Sequence, residues 1–459
     1  MGVTVLDERK FLEDLRKQNE EAFLKAVTRY DDQVAPSMRA RGYKLKNRSA
    51  RTVAFIFGEI CFERNRWYKK GTCKVPVDEW LGLEKHSRFS MELIYQINQI
   101  STCTTYRKTA DLIEFMTGIN LTKDTVLKAV KRAAALKKEQ EEYDLLSLPE
   151  AIEENKTSPE RLYIEGDGVW VKTRSKQGEE AKYSNISHYV IHTGSEQVGQ
   201  SKRRQLKNKK NVLSLSGSKA KEQVLDYVHQ TYKTGKGTTL ITNSDGGPGY
   251  GGRVFKDFAT AFKVQRHEHF WDPYHLQQEI EKNYKAQPEE LKELLKQAIY
   301  QHDFDLLQTA IDTTESLIED EEEQATFQDF ARRLKRNFSY TKPASLRNLP
   351  KKGIGVMESQ HRRLTYRMKN QGMIWSLEGA EIMANMILAV EEGTLRELFF
   401  GDWRKASQKM KALDKVSGGK VRKYMNHLDS LKRNFQIGEG RKSHKARRQS
   451  HKKGATILR

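Results

Sequence analysis

The stretch Arg161-Leu-Tyr-Ile-Glu-Gly-Asp-Gly-Val-Trp-Val-Lys-Thr173 places apolar and aromatic residues around Asp167. This composition predicts a β-strand over Arg161–Thr173. A carboxylate within an apolar strand is unfavourable unless it is paired or binds a metal. The glycines on either side of Asp167 would let the backbone come close to a metal or a phosphate. Asp167 is therefore the first candidate functional residue, and capping of a turn is the alternative.

This strand and the residues after it predict a mixed α/β region with the order β-β-β-α-β-α-β-α. Short β-rich runs alternate there with amphipathic, helix-forming segments. Strands are predicted at Ile186–His192, at Val212–Leu215, at Thr238–Thr242 and near Phe262–Gln265. Helices are predicted at Lys219–Thr234, after the turn Gly246–Gly252 and from Pro273.

The second candidate acid, Asp245, follows the strand Thr238–Thr242 and enters a glycine-rich turn. A carboxylate in this position would project from the carboxyl edge of the sheet, where α/β proteins place their ligands. Asp-Gly is also a common turn dipeptide, so a turn without function is the alternative. Pairing with Asp167 on an adjacent strand favours the functional interpretation.

The third candidate acid, Glu358, opens a helix that begins near Val356. Residues 358, 362, 365 and 369 are predicted to share one helical face. Basic residues line this face or lie beside it: Arg362, Arg363, Arg367 and Lys369. Such a stripe suits a metal-bound phosphate lying against the helix, and an ordinary Glu/Arg pair is the alternative. Glu378 and Glu381, on the next helix, remain rival third acids.

A histidine-rich segment contains His267, His269, Asp272 and His275. A zinc site is one interpretation, but the segment lacks a set of ligands that would close the coordination shell. We therefore expect one or two of these side chains, with His269, Asp272 and His275 as the candidates, to orient an active-site acid or to contact DNA.

The whole chain of 459 residues has a formal net charge of +21. Such a surplus indicates an anionic partner, with nucleic acid as the first candidate and an acidic membrane surface as the second. The charge is concentrated in residues 401–459, which hold 18 Lys and Arg against four acids. This basic tail is predicted to add affinity for nucleic acid, and a solvated arm is the alternative.

The three cysteines form no Cys-x-x-Cys pair, which disfavours a disulfide framework and suits a reducing cytosol. The N-terminus has no apolar h-region, so no signal peptide is predicted. No run approaches the roughly 18 apolar residues of a membrane helix. These features predict a cytoplasmic protein that does not associate with a membrane.

The N-terminal third of the chain changes its hydrophobic period several times. Residues 6–31 predict an amphipathic helix, and the alternation on both sides of Gly58 predicts a β-hairpin. A helix at Tyr106–Met116, a break at Gly118 and a helix capped by Thr122 form a helix-turn-helix pattern. The second helix would present four basic residues to DNA: Lys123, Lys128, Lys131 and Arg132.

Two carboxylates on neighbouring strands and a third on a later helix form the arrangement of a ribonuclease-H-like nucleotidyl-transfer site. Their hard oxygen atoms suit two Mg²⁺ or Mn²⁺ ions per active site. The fold class predicted is α+β multidomain, with a ribonuclease-H-like mixed-sheet core that a helical insertion interrupts and a helix-turn-helix DNA-binding region precedes.

Six motifs carry a resemblance to a known family. They are Phe57-Gly-Glu-Ile-Cys-Phe-Glu-Arg, Asp78-Glu-Trp-Leu-Gly-Leu, Glu165-Gly-Asp-Gly-Val-Trp, Asn243-Ser-Asp-Gly, Phe270-Trp-Asp-Pro-Tyr-His-Leu, and the segment from Glu358 through Arg367-Met-Lys to Trp375-Ser. Across roughly residues 50–400, the chain resembles the ISLre-type family of bacterial insertion-sequence transposases, within the DDE superfamily.

This resemblance implies that Asp167, Asp245 and Glu358 form the catalytic and metal-binding triad of a DNA transposase. The implied partners are the terminal inverted repeats of the element and target DNA, bound by a homo-oligomer associated with the bacterial nucleoid. No small-molecule cofactor is expected. Two alternatives stay open: a ribonuclease-H-like nuclease without strand transfer, and a catalytically inactive, transposase-derived DNA-binding protein.

The predicted domain organisation follows from these elements. The segments are an N-terminal helical segment (1–50), a β-hairpin module (51–90), the helix-turn-helix-like region with a linker (91–150), the first part of the core (151–285), an acidic helical insertion (286–345), the second part of the core (346–400) and the basic tail (401–459).

Overall fold

The computed structural model describes residues 6–147, 156–176, 178–200, 203–350 and 352–414. Most of the predicted basic tail therefore lies outside the described residues. The chain divides into two compact units, one formed by Met1–Leu145 with Asn385–Ala412 and the other containing Leu146–Ala384. Both units mix helices with strands, so the structure is of the α+β type.

The first unit begins with a long helix packed on a small antiparallel sheet. Its elements are α1 (Glu8–Ala40), β1 (Lys44–Phe55), β2 (Gly58–Lys69) and β3 (Thr72–Lys74). The predicted hairpin is confirmed, and α1 extends beyond the predicted end at residue 31. Apolar side chains of α1 and the hairpin, including Val27, Val53 and Phe62, form the core between them.

Six helices complete the first unit. They are α2 (Pro76–Trp80), α3 (Met91–Ser101), α4 (Tyr106–Thr117), α5 (Lys123–Ser147), and, after the second unit, α14 (Leu395–Phe400) and α15 (Trp403–Asp414). The predicted break at Gly118 is confirmed, because Gly118 adopts a left-handed conformation (φ +74°) that ends α4. Thr122 caps α5 as predicted, since its Oγ1 accepts a hydrogen bond from the Thr125 amide at 3.2 Å.

A mixed sheet of five strands forms the centre of the second unit. Its strands are β4 (Arg161–Thr173), β5 (Lys182–His192), β8 (Lys210–Ser214), β9 (Thr239–Ser244) and β10 (Arg266–Trp271), in the order β10-β9-β4-β5-β8. The central strand β4 is parallel to β9 and antiparallel to β5, while β10 extends the parallel edge. A separate hairpin, β6 (Ser195–Gln197) with β7 (Arg204–Leu206), lies between β5 and β8 in sequence.

Helices follow the strands of this sheet along the chain. They are α6 (Gly217–Thr231), α7 (Gly252–Ala261), α8 (Pro273–Asn283), α9 (Glu289–Gln301), α10 (Phe304–Leu317), α11 (Glu321–Thr341), α12 (Met357–Met368) and α13 (Leu377–Glu391). The predicted helical character of residues 286–345 is thus confirmed. The end of α13, from Asn385, belongs to the first unit.

The strand predicted near Phe262–Gln265 lies further along the chain. Phe262 ends α7 and packs in the core, and the strand begins only at Arg266. Phe262 continues the apolar face that Phe255 and Phe258 form at helical spacing, so its apolar character belongs to the helix end.

The two faces of β4 have different partners. Leu162 and Ile164 point into a core that α6 and α7 cover. Tyr163 points to the opposite face and packs with Ile241 and Phe270. Because side chains alternate along a strand, residues 165 and 167 lie on the Tyr163 face, which α12 also contacts.

The glycines beside Asp167 make room for side chains of β5. A Cβ atom at Gly166 would lie 2.6 Å from the ring of Tyr189, which is fully buried. A Cβ atom at Gly168 would meet the side-chain amide of Asn185. Neither glycine adopts a positive φ. Packing against β5 therefore accounts for both glycines, and the close approach of a metal or phosphate to the backbone is not needed to explain them.

We predict that Gly166→Ala lowers the free energy of unfolding by about 1–3 kcal/mol, because the added methyl group displaces the Tyr189 ring in a filled core. Urea denaturation measures this loss. Gly168→Ala is the matched control and should lose less, since the Asn185 side chain is only partly buried and can rotate away. Equal losses in the two variants would contradict the packing explanation.

Candidate functional site

Three acidic residues lie side by side where the parallel pairing of β4, β9 and β10 ends, although β4 itself continues to Thr173 alongside β5. In the sheet, Gly166 of β4 pairs with Ser244 of β9, which pairs with Trp271 of β10. The next residues along the chain are Asp167, Asp245 and Asp272. The structure therefore brings the two predicted aspartates to one edge of the sheet, and it adds Asp272 beside them.

Asp167 lies in a largely buried environment on the α12 face. Its Oδ1 accepts a hydrogen bond from the Gly168 amide at 2.6 Å, and its Oδ2 is 3.5 Å from Nδ1 of His361. Burial, followed by the negative charge of Asp245, raises the pKa of Asp167 to about 6. A cation placed between the two carboxylates would relieve this repulsion.

Asp245 is held by the glycine-rich turn that follows β9. Its Oδ1 accepts a hydrogen bond from the Gly247 amide at 2.9 Å. The preceding glycine, Gly246, has a φ of +73°, which a residue with a side chain rarely adopts. The turn thus fixes the carboxylate at the strand end with one backbone donor.

Asp272 connects the acidic edge to α8. Its Oδ1 accepts hydrogen bonds from the amides of Tyr274 and His275 at 3.0 and 3.2 Å, so it caps α8. Its Oδ2 accepts one from Asn243 at 2.8 Å. Nδ1 of His275 lies 3.3 Å from Oδ1, and this contact, with the charges of Asp167 and Asp245, raises the pKa of His275. His275 is therefore a basic group that faces the acids.

His269 lies elsewhere, on the opposite face of β10. Its Nδ1 is 2.8 Å from Oγ1 of Thr242, and its ring stacks on Phe255. Burial lowers the pKa of His269 to about 3, so the imidazole is neutral near pH 7. Of the three residues predicted to support the acids, the structure places Asp272 and His275 at the acidic edge and His269 away from it.

The sequence analysis missed Glu165, which lies two residues before Asp167 on the same face of β4. Only 1% of its surface is exposed. Its carboxylate accepts hydrogen bonds from the amides of Gly355 and Val356 at 2.9 and 2.8 Å and from Asn243 at 3.3 Å. Burial raises the pKa of Glu165 to about 7, although these hydrogen bonds act to lower it. The available signal was the i, i+2 spacing of two acids in a buried strand.

Helix α12 presents His361, not Glu358, to Asp167. His361 is buried, its ring stacks on that of His188 with centroids 5.1 Å apart, and burial lowers its pKa to about 3. Glu358 is exposed in the first turn of the same helix, three residues earlier. The structure therefore places Glu358 near the acidic pair along the helix but leaves its carboxylate in solvent.

The basic stripe of α12 is smaller than predicted. Arg362, Arg363 and Lys369 are exposed. Arg367 is 1% exposed, and its guanidinium lies 4.9 Å from the ring centroid of Trp375. Arg367, predicted to lie beside this basic face, is buried instead, because nine residues after Glu358 correspond to roughly half a rotation about the helix axis.

The rival third acids have different surroundings. Glu381 accepts hydrogen bonds from Oγ of Ser214 at 2.7 Å and from the Leu215 amide at 3.1 Å. Glu378 is exposed in the first turn of α13. Across the described ranges, no three His, Cys, Asp or Glu side chains are arranged so that they could hold a metal ion.

The predicted DNA-contacting residues of α5 fall into two groups. Lys123, Lys128 and Lys131 are exposed, opposite the buried side chains that pack α5 into the unit. Arg132 is half-buried and forms ion pairs with Glu84 and Glu139. The guanidinium of Arg132 therefore already has acidic partners within the protein.

The fold and the site define an α+β protein with a cluster of carboxylates at the carboxyl edge of a mixed sheet. This chain belongs to the uncharacterised protein family UPF0236, whose family model matches residues 1–407. It is 29% identical over 382 residues to the UPF0236 protein in the vanSb 3′ region of Streptococcus gallolyticus, covering 83% of this chain and 81% of that protein.

One solved structure gives a distant match. It is the Drosophila P element transposase strand transfer complex, which is 11% identical, covers 70% of this chain and 83% of its own, and has a TM-score of 0.24. That score is too low to define the fold. In the part of the chain that the structure describes, no helix is long and apolar enough to cross a membrane.

We predict that Asp167→Asn stabilises the protein more at high pH than at low pH. The folded protein holds the Asp167 proton up to about pH 6 against an ordinary value of 3.8, so ionisation of this carboxyl disfavours folding as the pH rises between them. The variant should gain roughly 1–3 kcal/mol of unfolding free energy at pH 8 and little at pH 4.

Chemical denaturation of wild type and variant at both pH values measures this difference. Asp257→Asn, at an exposed acid of α7, is the control and should shift stability equally at the two pH values. A gain from Asp167→Asn that is independent of pH would contradict the prediction.

Proposed function

We propose that this protein is an insertion-sequence DNA transposase of the ISLre type, with a ribonuclease-H-like core and a DDE triad of Asp167, Asp245 and Glu358. One observation carries the proposal: Asp167 and Asp245 extend from neighbouring parallel strands, and the charge of Asp245 acts together with burial to raise the pKa of Asp167. Close pairs of carboxylates with a perturbed pKa are typical of functional sites.

The oxygen atoms of this pair are of the type that a hard divalent cation prefers. Carboxylate oxygens of Asp167 and Asp245 would hold Mg²⁺ or Mn²⁺, and the exposed side chain of Glu358 would turn toward them as the third ligand from α12. The contact of His361 with Asp167 supports this assignment, because it holds the helix that carries Glu358 against β4. Two bound ions would activate the attacking oxygen and stabilise charge on the leaving oxygen.

The reaction comprises two transfers at phosphorus. In the first, the oxygen of water bonds to the phosphorus at an element end, the bond to the 3′-oxygen breaks, and a 5′-phosphate and a 3′-hydroxyl remain. In the second, that 3′-hydroxyl bonds to a phosphorus of target DNA and displaces a new 3′-hydroxyl. His275, held by Asp272 at 3.3 Å, is placed to exchange protons beside the acids.

Binding of DNA would use exposed basic residues in both units. Arg362, Arg363 and Lys369 would contact phosphates near the acids, and the α4–α5 pair would recognise the terminal repeats as a helix-turn-helix region. Lys123, Lys128 and Lys131 are exposed cations of the second helix of that region. The basic tail would add affinity that does not depend on sequence, and a homo-oligomer in the bacterial cytosol would join two element ends.

We predict that Asp167→Asn and Asp245→Asn each reduce Mg²⁺-dependent cleavage of element-end DNA roughly a thousandfold or more, because each removes a charged oxygen ligand. Glu358→Gln should reproduce this loss, whereas Glu378→Gln and Glu381→Gln, the matched controls, should retain cleavage. The assay follows cut and joined products with Mg²⁺ or Mn²⁺. Normal cleavage in Asp167→Asn would refute the proposed function.

The product distribution separates the alternatives. Cut ends that are never joined to target DNA would indicate a nuclease. DNA binding without any cleavage, unaffected by substitution of the acids, would indicate an inactive binding protein. Loss of cleavage in Glu378→Gln or Glu381→Gln, with normal Glu358→Gln, would reassign the third acid.

We predict that the double variant Lys128→Gln/Lys131→Gln weakens DNA binding on all sequences. The logarithm of the DNA association constant falls linearly with the logarithm of the salt concentration. The magnitude of this slope should decrease by roughly one for each phosphate that the variant no longer neutralises. Fluorescence anisotropy over a salt series measures this slope. Lys292→Gln is the control, because Lys292 pairs with Glu281 and Glu289, and an equal effect in this variant would contradict a specific role for α5.

A further inference from the structure

We propose that Glu165 is a positioning residue that fixes the start of α12 against the acidic edge and thereby sets where Glu358 lies. This inference rests on the proposed function, because it concerns the same site. Glu165 belongs to the central strand β4, and its hydrogen-bond partners at the start of α12 follow it by 190 and 191 residues.

Helix α12 begins without the usual side-chain cap. The first amides of a helix have no partner within the helix, and a side chain of the preceding residue usually accepts from them. Helix α12 has no such side-chain cap from Val356. Instead, the two carboxylate oxygens of Glu165 accept from the amides of Gly355 and Val356, the two residues just before α12, so the sheet caps the chain at the entry to the helix.

Asn243 connects the Glu165 carboxylate to Asp272 at the acidic edge. The side-chain amide of Asn243 donates to Glu165 at 3.3 Å and to Asp272 at 2.8 Å. Gly355 has a φ of +76°, and a Cβ atom there would lie 3.5 Å from Oδ2 of Asp272. The start of α12 therefore fits between two carboxylates that belong to neighbouring parts of the acidic edge.

Helix α12 carries two residues of the candidate site close to its start. Glu358 and His361 lie in the first two turns of α12, two and five residues after Val356. His361 contacts Asp167, which lies two residues after Glu165 on β4. A displacement of the helix start would therefore move Glu358 relative to the aspartates. A buried carboxylate adds little to the free energy of unfolding compared with apolar packing. The presence of a carboxylate at position 165 is therefore better explained by positioning of α12 than by stability.

The test uses the full-length protein with Glu165→Gln and Gly355→Ala. The glutamine keeps the size of the side chain but turns an NH₂ group toward one of the two amides. Gly355→Ala strains the same connection from the helix side, at a φ that suits glycine. Asp31→Asn is the matched control, because buried Asp31 accepts a hydrogen bond from the Asn65 amide at 2.7 Å in the first unit.

Two readouts are measured for each variant. Hydrogen exchange of the amides at residues 355 and 356, which does not depend on activity, should accelerate roughly tenfold in Glu165→Gln, as expected for the loss of a charge-assisted hydrogen bond. The kcat of DNA cleavage per folded molecule should decrease roughly tenfold or more, while the Kd for DNA stays within about twofold. Gly355→Ala should likewise lower kcat while leaving the Kd for DNA nearly unchanged. Asp31→Asn should change neither readout.

The outcomes separate this inference from the proposed function. Unchanged exchange and unchanged kcat in Glu165→Gln, with cleavage abolished in Asp167→Asn, would overturn the positioning role and leave the transposase proposal intact. Faster exchange with unchanged kcat would show a cap that does not position the site, which also overturns the inference. Normal cleavage in Asp167→Asn would refute the proposed function itself, and the exchange data would then still report whether Glu165 holds α12.

Discussion

The parallel pairing of β4 with β9 is the constraint on which the candidate site depends. Leu162 lies opposite Leu240, and this register carries Glu165 to Asn243 and brings Asp167 level with Asp245. Because side chains alternate along a strand, a slip of β4 by one residue would turn Glu165 and Asp167 toward the apolar core under α6 and α7. The burial of Leu162 and Ile164 in that core therefore also determines that the carboxylates meet on the other face.

Four carboxylates at one edge of a sheet would repel one another if their surroundings were equal. Glu165 and Asp167 are buried, which raises the pKa of each. Burial acts in the same direction on Asp272, but hydrogen bonds from His275 and Asn243 hold its pKa below the ordinary value. The surroundings thus raise the pKa of Glu165 and Asp167 and lower that of Asp272. Groups with pKa values perturbed in this way are more frequent at functional sites than elsewhere, and this is the basis for the proposed function.

Local sequence signals predicted the elements well where one physical cause dominated. The bounds of β4 follow from its apolar and aromatic run, and the break at Gly118 follows from the left-handed conformation that glycine accepts. The predictions at Phe262 and Arg367 were wrong for different reasons. Phe262 continues the apolar helical face of α7, so it ends the helix and does not begin a strand. Arg367 was expected beside a basic helical face, and only the surrounding core, with the ring of Trp375, shows that it is buried.

The sequence by itself determined the strands of the mixed sheet, the positions of Asp167 within one strand and of Asp245 after another, and the helix that carries Glu358 in its first turn. These features depend on hydrophobic period, turn residues and helix capping, which act over a few residues. The tertiary structure decided that Glu165 caps the entry to α12, that His361 contacts Asp167 and that Asp272 joins the acidic edge. Such contacts join residues far apart in the chain, and no local pattern specifies them, because strand order and helix docking place the partners in space.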